Sequence, residues 1–348
     1  IKGTMAGTTK VNALLLLIGT ALASWIGTTG AAMLMIRPLI RANAWRKKKV
    51  HLMVFFIFLV ANMGGCLTPL GDPPLFMGFQ RGVPFTWTFH LFPILAFNLI
   101  LLFAVFMLLD HHYYKKELAE GRSPLDMQKE GEKEPIRIEG AHNLIFIGMI
   151  ICGVLANGML PEWIPAFANG AGIHVYDEIV FPYATLAEVV IILVAALLSL
   201  KTTQEHTRVL NEFTNGPIIE VATLFIGIFI TMIPALMLLK THGAELGINQ
   251  PWQMFWATGA LSSFLDNTPT YLVFLQTAGS LGATTGIVTS VGTVSQIMLE
   301  AIAAGAVFMG ANTYIGNAPN FMVKAIAEEN NINMPSFFGY MAWSNAIL

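Results

Sequence analysis

An all-α polytopic membrane protein with two related halves is the fold class this sequence predicts, and three observations carry the prediction. First, 55% of its 348 residues are hydrophobic and only 11% charged, with a mean hydropathy of +0.63, outside the range of soluble globular domains. Second, Leu91 to Leu109 is apolar except for Asn98, and Pro217 to Leu239 is similar; each is long enough to cross about 30 Å of hydrocarbon. Third, a proline-rich and glycine-rich stretch inside these apolar runs occurs twice.

That stretch is Gly64 to Met77, Gly-Gly-Cys-Leu-Thr-Pro-Leu-Gly-Asp-Pro-Pro-Leu-Phe-Met. Proline removes backbone donors and clashes with the preceding turn, so a helix arriving from His51 stops near Met63 and another starts near Leu75. Gly65, Thr68, Gly71, Pro74, Phe76 and Met77 are matched by Gly310, Thr313, Gly316, Pro319, Phe321 and Met322, and Asp72 by Asn317. Average residue usage gives roughly one identity by chance over such a length. The glycine and proline matches therefore predict two broken helices with the same backbone geometry.

Taken in order, the apolar run Val11 to Ala23 is too short to span and ends at Ser24-Trp25-Ile26-Gly27-Thr28-Thr29-Gly30 before Ala31 to Ile36 resumes. This is the pattern of a re-entrant hairpin with a Gly/Thr tip, one kinked spanning helix being the alternative. Arg37 to Lys49 carries six Lys or Arg and no acid, so it reads as cytoplasmic. His51 to Met63 enters the membrane, Leu75 to Phe79 completes the crossing, and Leu91 to Leu109 returns. Asp110 to Gly140, hydrophilic and broken by Gly121, Pro124, Gly131 and Pro135, is expected to be a cytoplasmic linker. His111 and His112 beside Tyr113 and Tyr114 read as interfacial. The halves are then residues 1–110 and 141–348.

Ala141 to Gly158 and Phe181 to Leu200 are the next spans, separated by Leu160 to Glu178, which holds Glu162, Asp177 and Glu178 but no Lys or Arg and fits the outer face. Glu188, Glu220 and Glu300 lie in or at the ends of spans, and an intramembrane acid is a site candidate by default. Glu220 reads instead as a helix-start carboxylate favoured by the dipole. Trp252 to Leu261 is short again and meets Ser262-Ser263-Phe264-Leu265-Asp266-Asn267-Thr268-Pro269-Thr270, in which Ser263, Phe264, Leu265 and Thr268 correspond to Ser24, Trp25, Ile26 and Thr29. Gly292 to Met309 leads into the second broken motif, Phe321 to Ala327 follows it, and Gly339 to Leu348 begins another span. Counted from the basic loop, the repeats are inverted, an arrangement found in secondary transporters with a site at the repeat interface.

If the pseudo-two-fold holds, Thr28, Thr29, Thr68, Asp72, Asp266, Asn267, Thr268, Thr313 and Asn317 share one cavity. Most supply oxygens, and carboxylate, amide and hydroxyl oxygens with unwound carbonyls suit a hard cation such as Na⁺. Asp72 and Asp266 occupy the motifs and no Lys or Arg does, so an anionic substrate needs accompanying cations. The plainer reading of Asp72 is a cap on the half-helix beginning near Pro73. Cys66 and Cys152 sit in apolar surroundings and form no disulfide framework. The net charge of -2 gives no footprint for nucleic acid, and no metal-ligand spacing or nucleophile-base pair points to an enzyme or a cofactor.

These motifs resemble the ion transporter superfamily, in particular the sodium/proton antiporters of the NhaD type and their CitMHS-like citrate-transport relatives. Leu265-Asp266-Asn267-Thr268-Pro269 is similar to the Asp-Asn-x-Pro element of the antiporter and arsenite-permease branches, and Thr68-Pro69-Leu70-Gly71-Asp72 to their Ser-Pro-x-Gly-Asp element. Related dicarboxylate carriers have Ser-Asn-Thr at both tips, from which Gly27-Thr28-Thr29 and Asp266-Asn267-Thr268 depart. The resemblance implies a homodimer in the bacterial cytoplasmic membrane, with transport domains moving against a scaffold. The repeat logic implies roughly a hundred further scaffold residues before Ile1. Na⁺/H⁺ antiport is the expected function, with Asp266 first and Asp72 beside it alternating between a proton and Na⁺, and with no cofactor; Na⁺- or H⁺-coupled transport of citrate or a dicarboxylate is the alternative, and an uncoupled channel the reading of a different class.

Overall fold

The computed structural model describes residues 5–124, 139–176, 179–210 and 216–348. It divides into two compact units, one of Ile1–Ile136 with Leu224–Leu348 and the other of Arg137–Thr223. Fourteen helices and two small antiparallel strand pairs make up its regular structure among the described residues. Among the described residues, five apolar segments are long enough to cross a membrane: Thr9–Ile26, Val50–Leu67, Phe85–Ala119, Asn143–Pro161 and Tyr183–Thr202. The chain is an all-α polytopic membrane protein.

In the first unit, α1 (Thr9–Ile26) and α2 (Thr28–Ala42) meet at Gly27 and pack along one another. The turn needs a glycine because its φ is +79°, a conformation costly for any residue with a Cβ. Helix α1 is longer than its apolar run implied. Thr8 caps it ahead of that run by accepting from the Val11 amide, and the Ser24 hydroxyl, satisfied by the Gly64 carbonyl at 2.5 Å, lets the polar end stay helical. At 18 residues α1 has the length of a span, so the argument from shortness does not apply to this arm.

Helix α3 (Val50–Leu59) is buried from His51 to Leu59, as expected of a helix that is apolar on every side. The chain then unwinds through a 3₁₀ turn, Met63–Leu67, and an extended Thr68, and resumes as α4 (Pro73–Gln80) after Asp72 at φ -142°, ψ 137°. The second copy follows the same course. Helix α12 (Gln296–Met309) gives way to a 3₁₀ turn, Gly310–Asn312, then to an extended Thr313, and α13 (Ala318–Glu329) starts after Asn317 at φ -150°, ψ 138°. The matched glycines have a steric cause. A Cβ on Gly71 would lie 2.0 Å from the Gly65 carbonyl oxygen, and one on Gly316 would lie 2.4 Å from that of Gly310.

Ahead of the second break, and after α8 (Glu205–Leu210) and α9 (Gly216–His242) in the chain, α10 (Pro251–Ser262) and α11 (Asn267–Ser280) form the counterpart of α1 and α2. A short strand pair, Ile287–Thr289 with Gly292–Val294, precedes α12, so the helix expected from Gly292 starts instead at Gln296. Gly292 takes φ +124° and cannot begin a helix there. The halves interlock: α4 packs on α11, and α13 on α2. One apolar core containing Leu16, Phe56, Tyr271, Leu299 and Tyr340 runs through both.

Helix α5 (Phe92–Ala119) continues past the expected end of its span at Leu109. Asp110 does not open a solvated linker; it is fully buried, paired with the Arg46 guanidinium and 2.8 Å from His51 Nε2. Arg46, read from the sequence as a loop charge, is buried with it and also donates to the Gly7 carbonyl at 2.9 Å. Mutual pairing makes burial of both charges tolerable. His111 and His112 are exposed. Most of the remaining linker, residues 125–138, lies outside the described residues.

The second unit is built on α6 (Asn143–Trp163) and α7 (Tyr183–Thr202), which pack together and are joined through the strand pair Gly172–Tyr176 and Ile179–Pro182. Asn157 donates to Glu188 at 2.5 Å, so this acid has a partner within its own unit. Asp177, Glu178 and the Glu220 side chain lie outside the described residues. Glu300 accepts from Gln296 of its own helix at 3.0 Å.

Candidate functional site

Asp72 is the centre at which both tips and the second break meet. Although it stands in the N-cap position of α4, its side chain makes no capping hydrogen bond. It turns inward, 1% exposed. The Thr28 hydroxyl donates to Oδ1 at 3.2 Å, the Asn267 amide to Oδ2 at 2.9 Å and the Asn317 amide to Oδ1 at 3.4 Å. Thr28 is the first residue of α2 and Asn267 the first of α11, so equivalent positions of the two tips grip the two oxygens of one carboxylate. The matching position in the second half is the neutral Asn317. The site is therefore symmetric in backbone and asymmetric in charge.

The other expected residues divide into two groups. Asp266 is partly exposed and caps α11, accepting from the Thr268 amide at 3.0 Å; Thr268 is buried with a hydroxyl that has no hydrogen-bond partner among the described residues. Thr29 is half-buried beside Thr28. Thr68 and Thr313 do not offer their hydroxyls to a shared cavity. Each donates to a tip carbonyl, Thr68 to Ser24 and Thr313 to Ser263, and accepts from a backbone amide of its own break, Leu70 or Ile315, at 3.2 Å. The serines return the bond, Ser24 to the Gly64 carbonyl at 2.5 Å and Ser263 to that of Met309 at 3.0 Å. These twin clasps fasten each tip to its own broken helix.

Two residues of this centre escaped the sequence reading. Asn62 and Asn320 are fully buried and bonded to each other at 2.7 Å, and Asn62 Oδ1 accepts from Asn317 at 3.2 Å. The signal was available for Asn62, a polar side chain within the apolar run His51 to Met63, where a membrane segment rarely carries one without a role.

The partners of the Asp72 carboxylate are a hydroxyl and two amides, with no guanidinium or ammonium among them. A buried carboxylate held only by neutral donors is relieved by taking up a proton or a cation. Both amides present nitrogen to the carboxylate, so the oxygens at this centre able to meet a hard cation are those of Asp72 itself and of the Thr28 hydroxyl. No curated protein matches the chain at a significant level. The family described as "putative citrate transport" matches residues 1–348, and the chain belongs to that family of membrane transporters.

Proposed function

We propose that the chain is a Na⁺/H⁺ antiporter of the cytoplasmic membrane in which the Asp72 carboxylate takes a proton and Na⁺ in alternation. The observation that carries this reading is the position of Asp72, buried between both tips and the second break with only neutral partners. Burial favours the neutral acid and an arriving cation the ionised one, so a single group can release H⁺ as Na⁺ binds and recover it as Na⁺ leaves. Thr28 and Asn267 hold the carboxylate from the two tips. Asp266 and Thr268, at the start of α11, form the approach to it. The repeated halves act as inverted repeats whose tips are re-entrant, exposing Asp72 to one side at a time, and two copies assemble as a homodimer.

A second reading, Na⁺-coupled transport of citrate or a dicarboxylate, is favoured by the family description. Asp72 then holds the coupling cation, and the N-termini of α2 and α11 face the substrate carboxylates. Reconstitution into vesicles with an internal pH dye, adding Na⁺, Li⁺, K⁺ or citrate singly, separates the two. Na⁺-evoked proton efflux without citrate, lost in Asp72→Asn, supports antiport. Citrate uptake that requires Na⁺, with no proton signal from Na⁺ alone, overturns it in favour of the second reading.

A further inference from the structure

The amides around Asp72 are not free to turn. Asn320 Nδ2 faces two carbonyl oxygens of the second break, those of Gly310 and Thr313, both at 2.9 Å. Its Oδ1 must therefore point the other way, where it meets Asn62 Nδ2 at 2.7 Å. Asn62 Nδ2 also donates to the Ile57 carbonyl at 2.8 Å, so Asn62 Oδ1 is directed to Asn317. There Asn317 Nδ2 lies among three acceptors: Asn62 Oδ1 at 3.2 Å, the Ala61 carbonyl at 3.1 Å and Asp72 Oδ1 at 3.4 Å. Backbone carbonyls at both ends of the chain of amides define which atom is donor and which acceptor at every link. The order runs from the second break, through Asn320, Asn62 and Asn317, to the carboxylate.

We infer that Asn62 and Asn320 are positioning residues for the Asp72 site: together they orient the Asn317 amide toward the carboxylate and set how strongly Asp72 holds its cation, without themselves touching the cargo. The inference deepens the antiport reading and rests on it for the identity of the cation. The two side chains come from the two halves of the protein, Asn62 before the first break and Asn320 after the second. They join the unwound segments, where the halves must keep a common register as the site changes its exposure. A buried polar chain of this kind acts as a unit, because losing any link leaves the next amide with its backbone anchor alone.

The test uses the full chain in vesicles, comparing wild type with Asn62→Leu, Asn320→Leu and the double variant, each first shown to be monodisperse in detergent. The half-saturating Na⁺ concentration should rise about tenfold in either single variant, the low end of what loss of a ligand-orienting partner costs a metal site, while the maximal rate changes by less than about twofold. The double variant should resemble the singles rather than multiply them, the mark of residues acting through one another. A purely structural role predicts instead lowered protein yield and maximal rate with an unchanged half-saturating concentration, and that result overturns the inference, as does multiplication of the two effects. If Asn62→Leu does not fold, Asn62→Thr, which keeps a donor and an acceptor, replaces it with the same expectation in smaller degree. Wild-type vesicles with no Na⁺-evoked signal overturn the antiport reading alone. The positioning role is then decided without cargo, by reaction of Asp72 with a hydrophobic carbodiimide followed by mass spectrometry. The reaction should be about threefold faster, because carbodiimide attacks the protonated carboxyl and loss of the oriented Asn317 donor favours that form over the ionised one that binds Na⁺; equal rates overturn the inference.

Discussion

The Asn267 side-chain amide donates to Oδ2 of Asp72 at 2.9 Å, so the tip of the second half holds the carboxylate that belongs to the break of the first. Its other end is held as well, since the Ser262 hydroxyl donates to Asn267 Oδ1 at 2.7 Å. Replacing Asn267 with alanine leaves Oδ2 of the buried carboxylate short of a partner, while the Ser262 hydroxyl keeps the Ala306 carbonyl at 2.7 Å. The expected cost is about 1–3 kcal/mol of stability, together with weaker cation binding. Thermal unfolding in detergent and the Na⁺ dependence of transport measure the two effects. Thr28→Val, which removes one hydroxyl bond at 3.2 Å, should weaken binding in the same direction by less. A larger effect from Thr28→Val would contradict the dominance of the Asn267 contact.

The twin clasps make a paired prediction. Thr68→Val and Thr313→Val each remove one hydroxyl that donates to a tip carbonyl and accepts from a backbone amide. Each should lose about 1–2 kcal/mol of stability, with Thr313→Val at the upper end because its hydroxyl also accepts from the Gly316 amide at 3.0 Å. Unfolding curves for the two variants under one condition check this. A loss confined to one variant would show that the clasps are not equivalent.

Close backbone approach at the breaks predicts sharp intolerance. Gly71→Ala and Gly316→Ala each drive a methyl group into a carbonyl oxygen, at 2.0 Å and 2.4 Å, and neither neighbour is a side chain that can swing away. Both variants should fail to accumulate as folded protein, whereas Gly148→Ala in α6, with open space around the new methyl group, should be tolerated. Expression with fluorescence-detected size exclusion distinguishes these outcomes.

Away from the candidate site, Arg46 and Asp110 bind the loop after α2 to α5, with Asn12 reaching Asp110 Oδ2 at 3.4 Å from α1. Arg46→Ala leaves a buried carboxylate with His51 and Asn12 but without its guanidinium and should cost about 3 kcal/mol, whereas replacing both charges with apolar residues of similar volume should cost less. Thermal unfolding of the single and double variants measures the difference. A double variant no more stable than the single would argue against charge burial as the cause.

Much of the architecture was legible in the chain because it rests on local chemistry. Apolar length predicts spans, and the repeated Gly, Pro and Thr pattern predicts two breaks of one geometry. That geometry appears in the near-equal dihedrals of Asp72 and Asn317, because close glycine contacts and the missing amide of proline act within a few residues. Four of the nine expected site residues, Thr28, Asp72, Asn267 and Asn317, do form one hydrogen-bonded cluster. The assignment of roles within it depended on long-range packing. The sequence put Asp266 ahead of Asp72 as the exchanging acid, yet Asp72 is the one buried among neutral donors, and Asp266 caps a helix at a partly exposed position. Thr68 and Thr313, expected in the shared cavity, act as clasps, while Asn62 and Asn320, not singled out as site residues, complete the centre. A side chain's composition states which hydrogen bonds it can make; which it does make is set by the groups that folding brings opposite it, and for Asp72 and Asn267 those lie 195 residues apart.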